Sequence, residues 1–218
     1  MKKVLFILVF LGLCNWFQIW SFSKLIVGPR IKKYTVNDQW IKNVVAKKAN
    51  LKLLDITIFE DKNMYGMMAG LPVYPKMIIS EGMYKSFNKD ELEWVILHEA
   101  AHCIFWHNLT IFLIQILTLI IGIFTIKKTN MSFPLAIIFA IFLSLICIQI
   151  FRWGFEYQAD KYSIEKVDNP KGVITAQDKL MKANINIPFH SEKSILRFLL
   201  YWNIYPSKRI KMANHRME

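Results

Sequence analysis

His98-Glu99-Ala100-Ala101-His102 is the stretch that decides how this chain is read. On an α-helix, residues four apart are rotated by about 40° and stand one above the other. Two histidines so placed can reach one Zn²⁺. Glu99 projects from nearly the same side and can take a proton from water that the metal activates. The plain alternative is a buried helix carrying polar residues that happen to have this spacing. What surrounds the motif argues for a site.

Immediately upstream, Asn88-Lys89-Asp90-Glu91 reads as a helix start. Asn88 can cap it, Glu91 can reach back as in a capping box, and both acids suit the positive end of the helix dipole. Leu92, Val95 and Ile96 supply an apolar stripe ahead of the histidines. Further back, Leu54, Ile56 and Ile58 alternate with Asp55 and Thr57, a strand pattern. Residues 64–68 and 76–80 can supply two more strands, with Gly70 and Pro72 punctuating between them. A small antiparallel sheet packed before the motif helix is expected. Trp40, Ile41, Val44 and Val45 recur at helical spacing over 38–50, with Asn37 as N-cap.

Downstream, residues 108–124 are almost wholly apolar, Lys127-Lys128-Thr129-Asn130 is a short polar break, and 133–151 is apolar again. Each run is about long enough to cross a bilayer, and so short a loop makes them a helical hairpin. Residues 4–22 form a third apolar run behind Lys2 and Lys3, and read as a membrane anchor or a signal peptide. Nineteen residues rise about 28 Å, nearly a bilayer core, which favours the anchor. Over the 218 residues, 54% are hydrophobic, above the usage of soluble domains. The net charge of +12 invites a nucleic-acid reading, yet no helix-turn-helix, finger or RNA-sheet signature accompanies it. The lysines flank apolar runs, where anionic lipid head groups explain them; no nucleic-acid partner is expected. Cys14, Cys103 and Cys147 form no readable disulfide framework.

A catalytic zinc site needs three protein ligands and an open position. After His98 and His102, Glu156 in Glu156-Tyr157-Gln158-Ala159-Asp160 is the best third candidate. Asp160 lies one helical turn on, where a carboxylate can accept the outer N–H of a ligand histidine. Glu99 is the candidate general base. Tyr205 and Arg209 are candidates to stabilise the oxyanion. On a continued helix His107 is turned about 180° from His98, so it is expected to face away from the metal. His190 and His215 have no partner at metal spacing. The C-terminal part is expected to hold a helix from Pro170, capped by Asn169, and another over 191–202.

With these motifs in hand, the chain resembles the HtpX-like and CaaX-prenyl-protease-like integral membrane zinc metallopeptidases, which are gluzincins. The resemblance rests on residues 77–102, MIISEGMYKSFNKDELEWVILHEAAH, on NMYGM from Asn63, and on EYQAD at 156–160. It implies one Zn²⁺ per chain bound by His98, His102 and Glu156, with Glu99 as base and Asp160 behind the ligands. It also implies an ATP-independent endopeptidase, often acting in membrane-protein quality control. Two features depart from the family pattern. Relatives usually carry two N-terminal transmembrane helices, where this chain has one candidate, and their late His-Pro…Arg motif stands here as Tyr205-Pro206…Arg209.

The expected architecture is an α+β membrane protein. A zincin-like catalytic domain is split into 24–107 and 152–218, a transmembrane hairpin over 108–151 is inserted between the HExxH helix and the third-ligand helix, and 1–23 is an anchor or signal. The metal then lies within roughly 10 Å of the bilayer surface, suited to membrane protein or peptide substrates. The side carrying the metal segments has more lysine and arginine, which puts the catalytic domain in the cytoplasm; a cleaved signal peptide would reverse this. Two other readings stand beside it: a regulatory protease dedicated to one partner, and a non-catalytic binding protein with a vestigial site.

Overall fold

The computed structural model describes residues 32–129, 132–183 and 206–218. The segment 1–23, the helix expected over 191–202, His190 and Tyr205 lie outside the described residues. Lys32–Asn108 and Arg152–Glu218 form one compact unit, while Leu109–Phe151 belongs to another.

The first unit is built on a four-stranded sheet: β1 (Lys33–Val36), β2 (Ile56–Phe59), β3 (Gly66–Ala69) and β4 (Lys76–Ser80), in the order β1-β2-β4-β3. The sheet is mixed, which corrects the antiparallel expectation. β1 pairs antiparallel with β2 and β3 antiparallel with β4, but β2 and β4 run parallel, Ile56 opposite Met77 and Ile58 opposite Ile79. A meander would have set β3 against β2. Instead β4 slots between them, because its Met77 and Ile79 are wanted in the core beside Ile56 and Ile58, all four fully buried. Strand alternation reports which face is apolar, not which neighbour a strand takes. β1 has an almost fully exposed pattern and carried no strand signal.

Two helices pack against the long motif helix. Helix α1 (Gln39–Ala49) is capped by Asp38, whose side chain accepts from the backbone of Trp40 and Ile41. Asn37, the expected cap, instead accepts from Gln39 and Lys42 side chains. α1 ends at Asn50 in the left-handed region, φ 52°. The short α2 (Glu81–Ser86) follows β4 directly. α3 (Lys89–Ile104) begins with the expected Asn88–Glu91 capping box and buries Leu92, Val95, Ile96 and Leu97 against the sheet, α1 and α6 (Lys171–Ala183). α7 (Pro206–Met217) packs on α6.

Polar clamps fix α3 from two sides. Buried Glu93 meets Lys48 of α1 at 2.6 Å and accepts from the backbone of Asp168, while Glu91 meets Lys179 of α6 at 2.6 Å. α6 comes so close to the α3 N-terminus that a Cβ on Gly172 would lie 2.6 Å from the carbonyl of Asp90. That atom is backbone and cannot swing aside. Gly172→Ala is therefore expected to push α6 off α3 and cost roughly 1–3 kcal/mol, read as a lower melting temperature of the detergent-solubilised protein.

The apolar stretches downstream are helical: α4 (His107–Thr129) and α5 (Phe133–Lys166). α5 runs on without a break into the segment holding Glu156 and Asp160, so the third-ligand segment is a continuation of the second apolar helix and not a separate helix. Among the described residues, no single helix is long and apolar enough to cross a membrane. Lys89–Ile104 and His107–Gly122, bent by 44° at their junction, reach that length and composition only as a pair. Large apolar side chains stand open on both helices, Leu113, Leu117 and Phe124 on α4 and Leu135 and Phe142 on α5 each being more than half exposed.

Candidate metal centre

Three elements supply the site. α3 carries His98, Glu99 and His102, α5 carries Glu156 and Asp160, and α7 carries Arg209. The one-turn spacing on α3 stacks the two imidazoles, with ring centroids 4.9 Å apart. Their Nε2 atoms lie 3.2 Å from each other. Glu156 completes the triangle: one carboxylate oxygen is 3.4 Å from His98 Nε2 and the other 3.5 Å from His102 Nε2. A tetrahedral zinc with bonds of about 2.0–2.1 Å separates its ligands by about 3.3 Å. The two nitrogens already sit at the spacing such an ion requires, the Glu156 carboxylate faces both with one oxygen each, and two nitrogens plus one carboxylate are a donor set that suits it. Among the described residues, this trio is the group of His, Cys, Asp and Glu able to hold a metal. Cys103 is a free, buried thiol on the same helix and is not in it.

Behind the trio lies Asp160, fully buried, with one oxygen 2.8 Å from His98 Nδ1 and the other 2.7 Å from Arg209 Nε. Burial opposes ionisation of Asp160, but the Arg209 guanidinium and His98 hold its pKa below the usual range. Burial likewise disfavours a charged His98; the facing carboxylates of Asp160 and Glu156 overcome it and carry its pKa up to about 10. His102 has no such anion at its outer nitrogen, and burial together with the charge of His98 brings its pKa down to about 3. Arg209 is itself buried. Besides Asp160, its Nη2 lies 3.5 Å from Glu156, and its guanidinium sits 5.4 Å from the Trp94 ring centre.

Glu99 faces β3, the edge strand. Burial raises its carboxyl pKa to about 7, against the lowering pull of His98 and of a backbone hydrogen bond from Met68. β3 approaches closely here: a Cβ on Gly66 would meet the Val95 side chain at 2.9 Å and lie 4.0 Å from the Glu99 side chain. The open edge of β3 thus runs beside the carboxylate.

His107 does not face away. α3 stops at Ile104, and Trp106 takes φ 55°, a left-handed conformation that is costly for a residue with a Cβ. The chain turns there, and α4 starts with His107 folded back so that its Nδ1 lies 2.8 Å from His102 Nδ1. The expectation failed because it ran one helix through a break. His107 is 2% exposed, and its Nε2 is 3.1 Å from Gln158 Oε1. Three histidines within ten residues, and a glutamine between Glu156 and Asp160, were the available signals. His215 pairs with Glu218 at the surface, away from the cluster.

Comparison with known proteins places the chain in a family. The profile of peptidase family M48 matches residues 36–214, a span holding every residue of the cluster. Protease HtpX of Haemophilus ducreyi is 25% identical over 235 residues, covering 95% of this chain and 79% of that protein. Protease HtpX of Pasteurella multocida is 30% identical over a shorter stretch of 82 residues, 35% of this chain and 29% of that one. The crystal structure of S. mikatae Ste24p shares the fold, with a TM-score of 0.67 at 15% identity, over 96% of this chain. This chain spans 58% of the Ste24p chain. The chain belongs to peptidase family M48, the HtpX- and Ste24-like metallopeptidases.

Proposed function

We propose that this protein is a membrane-embedded, zinc-dependent endopeptidase that hydrolyses peptide bonds of membrane or membrane-associated proteins, in the manner of quality-control proteolysis. The observation that carries the reading is the convergence of His98 Nε2 and His102 Nε2, 3.2 Å apart, on the Glu156 carboxylate, one oxygen 3.4 Å from the first and the other 3.5 Å from the second, with Glu99 on the same helix as the histidines. These three side chains would hold one zinc per chain. Bound there, zinc supplies a Lewis acid that polarises a peptide carbonyl and makes water a better nucleophile.

The other groups act around that centre. The Glu99 carboxylate accepts the proton of the attacking water and returns it to the leaving amine. Asp160, one oxygen of which lies 2.8 Å from His98 Nδ1, holds the imidazole proton on that side and so keeps the other nitrogen free as a donor to the metal. Arg209 balances the negative charge of Asp160 and Glu156; its contacts favour this orienting role over oxyanion binding, which leaves Tyr205 as the other candidate for that task. An extended substrate segment can add to the free edge of β3, whose backbone is positioned beside Glu99.

For the membrane part, residues 108–151 form a helical hairpin in the bilayer and 1–23 an anchor or signal. The exposed apolar side chains of α4 and α5 support this, since soluble surfaces rarely carry such a continuous patch. The catalytic unit, 24–107 with 152–218, then stands on the lysine-rich cytoplasmic side.

The test is proteolysis by the detergent-purified protein, followed on itself and on an unfolded casein-type substrate. Cleavage should stop with a chelator and return with added Zn²⁺. A protein that binds zinc at one per chain yet cleaves nothing would favour a single dedicated partner. A protein that binds none would sink the enzymatic reading.

A further inference from the structure

The two imidazoles of the trio are held from behind in different ways. His98 leans on a buried carboxylate, Asp160. His102 leans on a second histidine. We propose that His107 and Gln158 form a neutral hydrogen-bond relay that sets the tautomer and ring orientation of His102, making His107 a positioning residue for the metal. This inference rests on the metallopeptidase reading above.

The proton count supports the direction of the relay. A histidine that donates to a metal through Nε2 must carry its proton on Nδ1. The atom 2.8 Å from His102 Nδ1 is His107 Nδ1, which must then accept. A neutral His107 accepting at Nδ1 has its proton on Nε2, and that nitrogen is 3.1 Å from Gln158 Oε1, an acceptor. Each of the four hydrogen-bonding atoms has one consistent role, and the chain ends on an amide that cannot take the proton away.

The fold holds this arrangement tightly. The His107 ring is stacked on Phe155 at 4.3 Å and 12°, and on Phe105 at 5.7 Å and 28°, which fixes its plane. It reaches the site only through the left-handed Trp106, a backbone conformation that surrounding structure must hold in place. α5 supplies Glu156, Gln158 and Asp160 within about one helical turn, so one helix serves the third ligand, the outer partner of His98 and the end of the relay behind His102. A carboxylate at 158 would add a third negative group beside Glu156 and Asp160; the amide orients without adding charge.

The experiment is zinc affinity of the full-length protein in detergent, by competition with a chromogenic chelator. Co²⁺ in place of zinc reads the ligand geometry by its visible absorption. His107→Phe keeps an aromatic ring between Phe105 and Phe155 but ends the relay. It should bind zinc about 10–100-fold more weakly and shift the cobalt bands. Gln158→Leu should act in the same direction to a smaller extent. Gln158→Glu, which can still accept from His107, should bind at least as tightly as wild type. Wild-type affinity in both His107→Phe and Gln158→Leu would overturn the proposal while leaving the metallopeptidase reading standing. No zinc binding by wild type would overturn both. If His107→Phe fails to fold, the Gln158 pair decides, because Gln158 is exposed and its replacement leaves the core unchanged.

Discussion

Glu99→Gln is expected to keep zinc at wild-type stoichiometry while cleaving peptide bonds about 10²–10⁴-fold more slowly. Glutamine has the size of glutamate and can still accept the backbone hydrogen bond from Met68, so the local structure should hold. What it cannot do is take a proton from water. Glu156→Ala is the contrast. It removes one of the three donor atoms and leaves two nitrogens, so it should lose metal, with activity falling as a consequence. Metal content and initial rate, measured on the same preparations, separate the two effects. Equal activity in Glu99→Gln and wild type would remove Glu99 from the chemistry, and full zinc occupancy in Glu156→Ala would remove it as third ligand.

Asp160→Ala is expected to be among the most damaging changes to stability. Asp160 is fully buried between Arg209 and His98, and Arg209 is itself buried. Removing the carboxylate leaves a guanidinium out of water with Glu156, at 3.5 Å, as its remaining ion-pair partner among the described residues. Breaking a buried pair from one side costs about 3–5 kcal/mol. For a chain of this size that corresponds to a melting temperature lower by roughly 6–20 °C. Arg209→Met added to Asp160→Ala should recover part of the loss, since the orphaned charge is then gone. A single variant melting as wild type would show that water reaches this pair. The same contacts give a sign to the pH dependence of the metal-free protein. The folded-state pKa of Asp160 is depressed, so its stabilisation is fully present above the unfolded pKa and is lost as pH falls through the folded one.

Much of this site can be read from the chain alone. Four of its groups lie on helices at one-turn spacing, His98 with His102 and Glu156 with Asp160. A helix carries such pairs to one face whatever else the protein does. The Asn88–Glu91 cap is equally local, and it appears as the spacing implied. The apolar runs over 108–124 and 133–151 required a helical state for the same reason, each backbone polar group being satisfied within its own segment.

What tertiary structure decided are the relations between segments. The parallel pairing of β2 with β4 depends on which strand fills the space beside Ile56 and Ile58, and alternation is silent about that. Arg209 faces carboxylates because α7 packs on α6 and the buried charge of Asp160 must be matched. His107 turns back to His102 because the helix breaks at one residue, Trp106, whose left-handed φ no periodicity reports. Local spacing determined which side chains could form a site. Packing, and the need to satisfy every buried charge and hydrogen bond, determined what stands behind each of them.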